Sequence, residues 1–96
     1  MKPKPDEQGN LGIEEVERIS EIYRIENINY IKPGIGETTR VLLRRVPWKV
    51  LIDSRFKDSR ELEHIVQLVR EKSVDVEYMH LNNYKCCGLI KQFSDI

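Results

Sequence analysis

The sequence is poor in cysteine, has no long apolar run and carries no excess of either charge. Its two cysteines, Cys86 and Cys87, are adjacent, whereas a small disulfide-stabilised secreted domain has several spaced cysteines. No apolar run approaches the roughly 20 residues of a membrane-spanning helix. Sixteen Lys and Arg residues balance sixteen Asp and Glu residues, so no net field draws the chain to nucleic acid or anionic membranes. These absences argue against a disulfide scaffold, a membrane protein and a strong nonspecific nucleic-acid binder.

The composition is typical of one small soluble domain. Forty per cent of the residues are apolar and a third are charged, and 96 residues leave room for a single domain. The first ten residues are charged and rich in proline and lack the apolar segment of a signal peptide, so we expect a cytoplasmic protein. We expect residues 1–12, which contain one large aliphatic side chain, to form a flexible tail before a single α/β domain over residues 13–96.

Hydrophobic periodicity predicts alternating helices and strands. Apolar residues recur at helical spacing in three segments, residues 13–24, 37–45 and 58–72. Shorter apolar or alternating runs predict three strands, over residues 26–32, 49–53 and 74–81. Residues 84–93 form either a last strand or a short helix. This order predicts a small layered α/β domain with a short, largely parallel sheet flanked by helices.

Polar and glycine residues follow the expected strands. If these strands are parallel, their carboxyl ends meet at one edge, where open α/β sheets bind ligands. The loop from Gly34 to Arg40 leads into a helix, and such glycine-containing turns point backbone N–H groups at anions. It departs from the Walker A and dinucleotide motifs, which require further glycines. The candidate ligand-binding residues at this edge are Gly34, Gly36, Thr38, Thr39, Arg40 and Asp53.

Two interpretations of this loop stay open. In the first, a nucleotide or phosphate lies on the loop and Asp53 contacts the sugar or a metal ion. In the second, the glycines only turn the chain and Thr38 or Thr39 caps the following helix. The cofactor is unknown, and the pattern assigns no catalytic residue, so whether the protein is an enzyme stays open.

Positive charge is concentrated in residues 32–49, which contain five Lys and Arg residues and one acid, Glu37, whereas the first helix is acidic. Arg40 and Arg44 are four residues apart and therefore share a helix face. Their partner is the acidic helix, a phosphate, an RNA backbone or an acidic protein. Trp48 is either a core residue or a stacking surface. The candidate partner or nucleic-acid contacts are Arg44, Arg45, Trp48 and Lys49.

The soft metal ligands of the chain are two cysteines and two histidines. Neighbouring strand residues point to opposite faces and no Cys-x-x-Cys spacing exists, so we expect no metal site. A buried, unreactive thiol is the favoured interpretation of Cys86. The alternative is a reactive thiol at the sheet edge whose pKa is lowered by Lys85 or an arginine.

The string GETTRVLLRRVPWK within residues 32–49, together with LEHIVQLVREK and YKCCGLIK, resembles an uncharacterised archaeal family, methanogenesis marker protein 5, over residues 30–91. The resemblance implies a cytoplasmic protein of a methanogen that acts near methyl-coenzyme M reductase, in its maturation or activation. It supplies no catalytic motif. In element order and in the Gly34 to Arg40 loop, the chain also resembles the L7Ae/L30e group of RNA-binding α/β sandwiches, in which a glycine-bearing helix start contacts RNA.

The sequence therefore predicts a small cytoplasmic binding or accessory module with a protein partner and no membrane contact. Its contact region is Gly34 to Arg40 with Arg44 and Arg45. A nucleotide- or phosphate-binding protein is the first alternative, and an RNA-binding domain is the second and less favoured one. A homodimer formed through an exposed sheet edge also stays open.

Overall fold

The chain folds into three helices and a four-stranded sheet in the computed structural model, which describes the backbone of residues 5–90 and the side chains of residues 12–90. The helices are α1 (Pro5–Tyr23), α2 (Ile35–Arg44) and α3 (Glu63–Lys72). The strands are β1 (Ile31–Pro33), β2 (Lys49–Asp53), β3 (Asp75–Met79) and β4 (Cys86–Leu89). Short 3₁₀ turns occupy Ile28–Tyr30, Ser54–Phe56 and Arg60–Leu62. Within the described residues, no helix has the length and apolar character needed to cross a bilayer.

The strand order is β1-β4-β2-β3, and the sheet is mixed. Strands β2 and β3 are parallel, whereas β4 is antiparallel to both β1 and β2. The α/β class is confirmed, but the expectation of a largely parallel sheet is wrong. Only six residues separate β3 from β4, and a parallel return needs a crossover of a dozen or more residues. The last strand therefore enters the sheet in the reverse direction.

The strands β1, β2 and β3 nevertheless point in the same direction. Because β4 is antiparallel to β1 and to β2, those two strands run in the same sense, and β3 follows β2. Their carboxyl ends, at Pro33, Asp53 and Met79, and the start of β4 at Cys86 thus lie at one edge of the sheet. We call this the carboxyl edge. The expectation that these three strand ends meet is confirmed.

Both faces of the sheet are covered, because the strand residues alternate between two apolar clusters. On one face α1 packs on the strands, and the buried cluster contains Val16, Ile19, Ile25, Ile31, Leu51, Leu81, Cys87 and Leu89. On the other face α2 and α3 pack, and the cluster contains Leu42, Val50, Ile52, Leu62, Ile65, Val69, Val74 and Cys86. The adjacent cysteines therefore belong to opposite faces, as the strand alternation predicts.

Several element boundaries differ from the sequence pattern. Helix α1 begins at Pro5, eight residues before the predicted start, and proline suits a first helical position because it needs no N–H partner there. The flexibility expected for residues 1–12 stays a prediction, and residues 1–4 and 91–96 lie outside the described residues. The last described element is a strand, β4, which decides between the two interpretations of residues 84–93 in favour of a strand.

Local side-chain caps explain two further differences. The predicted strand over residues 26–32 is shortened to β1, because the Asn27 side chain accepts a hydrogen bond from the Asn29 N–H at 2.8 Å and starts a 3₁₀ turn. The predicted helix start at residue 58 moves to Glu63, because the Ser59 hydroxyl accepts from the Glu61 N–H at 3.1 Å and caps another 3₁₀ turn. Short polar side chains thus redirect the backbone before each regular element begins.

Candidate nucleic-acid interface

A groove of about 300 Å³ lies between the edge strand β1 and helix α2. Its lining contains four cationic side chains, one acid and two apolar residues, namely Lys32, Arg40, Arg44, Arg45, Glu37, Val41 and Ile90. We call it the basic groove. Helix α2 places its apolar residues Val41 and Leu42 against the sheet, so residues on its other faces, including Arg40 and Arg44, remain exposed. The amphipathic pattern of α2 therefore creates the charged wall.

The cations of the basic groove are weakly compensated. Arg40 Nη1 donates to Glu37 Oε2 at 3.0 Å, and the two side chains are 59% and 45% exposed. A surface pair of this kind contributes about 0–1 kcal/mol, so Arg40 can exchange its partner for another anion. Arg44 and Arg45 are exposed and form no ion pair with the described part of the chain. Most cations of the basic groove thus have no ion-pair partner among the described residues.

Glycine is required where β1 passes into α2. Gly34 has a φ of 93°, a conformation that other residues adopt only with strain. Its N–H donates to the Cys86 carbonyl at 2.8 Å and its carbonyl accepts from the Thr38 N–H at 3.0 Å. Gly34 is the helix N-cap and has no side chain to cap with, so the expectation that a threonine caps α2 is wrong. Gly36 lies in the first turn of the helix and is exposed.

The two threonine hydroxyls are engaged within the protein. Thr38 is buried and its Oγ1 donates to the Lys32 carbonyl at 3.3 Å. Thr39 Oγ1 donates to the Ile35 carbonyl at 2.7 Å, so it accepts the hydrogen bond that joins it to His64 Nε2 at 2.8 Å. These bonds fix α2 to β1 and to α3. The role of either threonine as a ligand contact stays a prediction.

Asp53 lies fully buried at the end of β2 and accepts four hydrogen bonds from the chain itself. Its Oδ1 accepts from the Arg55 backbone N–H at 2.8 Å and from Arg55 Nε at 3.1 Å. Its Oδ2 accepts from Arg55 Nη2 at 2.8 Å and from the Leu81 N–H at 3.0 Å. These bonds, above all those from the Arg55 side chain, hold the pKa of the Asp53 carboxyl well below its usual range despite burial. The carboxylate thus positions the loops that follow β2 and β3.

Cationic and aromatic side chains meet beside this carboxylate. The Arg55 guanidinium carbon lies 5.4 Å from the centroid of the Phe56 ring, and Lys85 Nζ lies 5.0 Å from the same centroid. Lys85 Nζ also pairs with the Glu61 carboxylate. The sequence pattern did not identify Phe56 or Lys85 as binding candidates, because their proximity depends on the pairing of β4 with β2.

Trp48 and Lys49 are not brought to the basic groove. Lys49 lies two residues before Leu51 on β2 and therefore shares its face, which packs under α1, whereas Lys32 of the groove lies on the face of α2. Lys49 Nζ donates to Asp75 at 3.0 Å and to Glu77 at 3.3 Å, and it lies 5.5 Å from the Trp48 ring centroid. These two candidate contacts therefore form a separate cluster on the opposite face.

A buried carboxylate on α1 positions the loop between β3 and β4. Glu15 is 3% exposed and accepts hydrogen bonds from the backbone N–H groups of Asn82 and Asn83 and from Arg18. The sequence pattern showed that the first helix is acidic but did not identify this contact between Glu15 and the loop. One feature of the sequence distinguishes Glu15 from the other acids of the helix. It lies beside Val16 and four residues before Ile19, on the apolar side of the helix.

Both cysteines are fully buried, and burial raises the pKa of each thiol. The interpretation of Cys86 as a thiol activated by Lys85 is therefore not supported. We expect both thiols of the native protein to react with Ellman's reagent at least about 10³-fold more slowly than in urea, because reaction requires opening of the core. The release of thionitrobenzoate measures this rate. Rapid labelling of one thiol in the native protein would show an accessible thiolate.

Comparison with known proteins identifies the family. The sequence profile of the PELOTA RNA binding domain matches residues 10–92. The chain is also 46% identical over 78 residues to the "Cysteine protease StiP" of Acinetobacter baylyi, an alignment that covers 80% of this chain and 20% of that relative. The chain thus spans about a fifth of the length of the relative.

These matches overturn the resemblance to methanogenesis marker protein 5. The profile match covers the whole of that resemblance, and the relative is bacterial, so the archaeal and methanogenesis implications have no support. The family instead favours the RNA-binding alternative over the accessory module. Because its profile matches most of the sequence, from α1 past β4, this chain belongs to the PELOTA RNA binding domain family.

Proposed function

We propose that this domain binds RNA and that the basic groove contacts the sugar-phosphate backbone. One observation carries the proposal: four cations and a single acid line a groove beside α2 in a chain of the PELOTA RNA binding domain family. Three of the four cations are arginines, whose planar guanidinium groups donate two parallel hydrogen bonds to a phosphate. Neutralising phosphates releases condensed counterions, which is the main source of affinity for a nucleic-acid backbone.

A second and larger groove beside α3 is a weaker candidate. It measures about 530 Å³, and two cations and two acids are among its lining residues, which are Lys57, Asp58, Ser59, Glu63, Val66, Gln67 and Arg70. Each acid there repels a phosphate as strongly as each cation attracts it, so the volume alone gives no affinity for a polyanion. Charge balance therefore favours the smaller groove.

The name of the relative raises cysteine protease chemistry as another function. This chain supports that function poorly. Both of its cysteines are buried and the pKa values of their thiols are raised, whereas a nucleophilic thiol is accessible and has a lowered pKa. The chain also covers only 20% of that relative. No finding supports a phosphate ligand or a homodimer. We therefore assign RNA binding to this domain.

The proposal predicts salt-dependent RNA binding. A fluorescent blunt-ended RNA hairpin is titrated with the domain at several salt concentrations between about 50 and 200 mM. If three or four groove cations meet phosphates, the slope of log K against log salt should be about −2 to −4. Arg70→Ala, in the larger groove, should leave the affinity within about twofold. Absent binding, or a slope near zero, would contradict the proposal.

A further inference from the structure

We propose that Arg55, stacked on Phe56 at the carboxyl edge, is a selectivity-determining residue that stacks against an unpaired base of the bound RNA. The inference rests on the proposed function and extends it to a class of RNA: molecules with a single-stranded segment next to a helical one. Four observations support it.

The first is that the Arg55 side chain is both rigid and exposed. Its Nε and Nη2 atoms are held by the buried Asp53 carboxylate, and Nη2 also donates to the Leu81 carbonyl at 2.9 Å. The side chain is nevertheless 58% exposed. Its Nη1 has no hydrogen-bond partner among the described residues. Because the orientation is already fixed, binding costs little further side-chain entropy.

The second observation is the aromatic support beneath the guanidinium. The Arg55 guanidinium carbon lies over the Phe56 ring, 5.4 Å from its centroid, so the ring supports the guanidinium from one side. The other face is the surface that a planar ligand can cover. Guanidinium planes and aromatic rings are the surfaces on which proteins stack unpaired bases. In the proposed complex, the base, Arg55 and Phe56 follow one another in this order.

The third observation is a second cation on the same ring. Lys85 Nζ lies 5.0 Å from the Phe56 centroid, and its pairing with Glu61 involves side chains that are 35% and 56% exposed. A partly exposed pair of this kind exchanges readily for a phosphate. Lys85 can thus hold the phosphate of the nucleotide whose base stacks on Arg55.

The fourth observation is continuity with the basic groove. The Asp53 N–H donates to the Lys85 carbonyl at 2.8 Å, and the Gly34 N–H donates to the Cys86 carbonyl at 2.8 Å. The start of α2 follows β1 and the Arg55–Phe56 stack follows β2, the two strands that flank β4 at the carboxyl edge. In the proposed complex, an RNA backbone that follows the basic groove towards the start of α2 approaches the edge of the sheet that carries this stack.

The stack selects against continuous duplex RNA. In an A-form helix the bases are stacked on each other and the major groove is too deep and narrow for side chains to read. A base of a single-stranded segment is free to leave its neighbours. Each base stacked on a protein side chain adds roughly 5- to 100-fold in affinity.

The test compares two RNA hairpins with the same stem, one blunt and one with a single-stranded 3′ extension. The wild-type domain should bind the extended hairpin at least about fivefold more tightly. Arg55→Lys keeps the charge and removes the planar group, so it should abolish this preference and leave the affinity for the blunt hairpin within about twofold. Arg60→Lys is the matched control at an exposed arginine nearby, and it should preserve the preference.

The fluorescence of a base analogue in the RNA reports on base stacking in the folded wild-type domain. This measurement does not depend on whether the variants fold. 2-Aminopurine placed in the 3′ extension should change its fluorescence on binding, because its stacking partner changes, and this change should be absent with Arg55→Lys. Equal affinity of the wild type for both hairpins, with the salt slope retained, would overturn this inference and leave the proposed function standing. Retention of the preference by Arg55→Lys would also overturn it, whereas absent binding of either hairpin would overturn both.

Discussion

Replacing Asp53 by Asn should destabilise the domain by about 2–4 kcal/mol at pH 7. The carboxylate is fully buried and accepts four hydrogen bonds, from the backbone and side chain of Arg55 and from the Leu81 N–H. An amide has one accepting oxygen, and its NH₂ group would face a donor of Arg55 or Leu81. The substitution therefore leaves at least one buried donor without a partner.

The effect should depend on pH in a defined direction. The pKa of the Asp53 carboxyl lies well below its usual range in the folded protein, and near 3.9 in an unfolded chain. The unfolded state therefore takes up the proton first as the pH falls. The stabilisation by Asp53 is complete above about pH 4 and is lost progressively below it. The difference between wild type and Asp53→Asn should thus shrink between about pH 4 and pH 2.

Urea unfolding monitored by circular dichroism at several pH values measures this difference. Asp58→Asn is the matched control, because Asp58 is exposed and the same substitution there should change stability by less than about 0.5 kcal/mol. Equal midpoints for the two variants would show that the Asp53 network does not stabilise the fold. A difference that persists unchanged down to pH 2 would contradict the pKa argument.

Replacing Arg40, Arg44 and Arg45 together by Gln should weaken RNA binding about 10²- to 10³-fold at moderate salt, if each charged contact contributes about 1–1.5 kcal/mol. The slope of log K against log salt should become less steep by about 2 to 3. All three residues are exposed, and Arg40 and Arg44 repel each other mildly at helical spacing. The thermal midpoint should therefore stay within a few degrees of the wild-type value.

The control for this variant removes the same number of charges from the other groove and its surroundings. Lys57, Arg70 and Lys72 lie in or near α3, and Lys57 and Arg70 line the larger groove. Their replacement by Gln should change RNA affinity by less than about threefold, the small loss that long-range attraction alone produces at this salt concentration. An equal loss in both triple variants would indicate a diffuse charge effect and contradict a specific role for the basic groove.

Much of the fold was predictable because it depends on neighbours in the chain. The apolar run of β2 gave its exact bounds, Lys49–Asp53, since few local alternatives suit consecutive apolar residues. Helix α2 was predicted within two residues at its start and one at its end. Short caps such as Asn27 and Ser59 moved other boundaries, because one side-chain hydrogen bond outweighs a weak propensity.

The candidate site was predictable only in its charge. The arginines of α2 were identified from their number and helical spacing, and they do line one groove. Lys49 belongs to the same charged stretch of sequence, yet Asp75 and Glu77 of the neighbouring strand bind it on the opposite face. Phe56 and Lys85 were missed, since they meet only after residues 29 positions apart in sequence approach each other.

The sequence by itself determined the α/β class and the positive charge of α2, because periodicity and spacing act over a few residues. Tertiary structure decided where β4 lies, and with it the mixed sheet. It also decided that Asp53 holds Arg55 and that Glu15 clamps the loop after β3. These contacts join residues far apart in the chain, and their partners are selected by the burial of charges that cannot remain unpaired away from water.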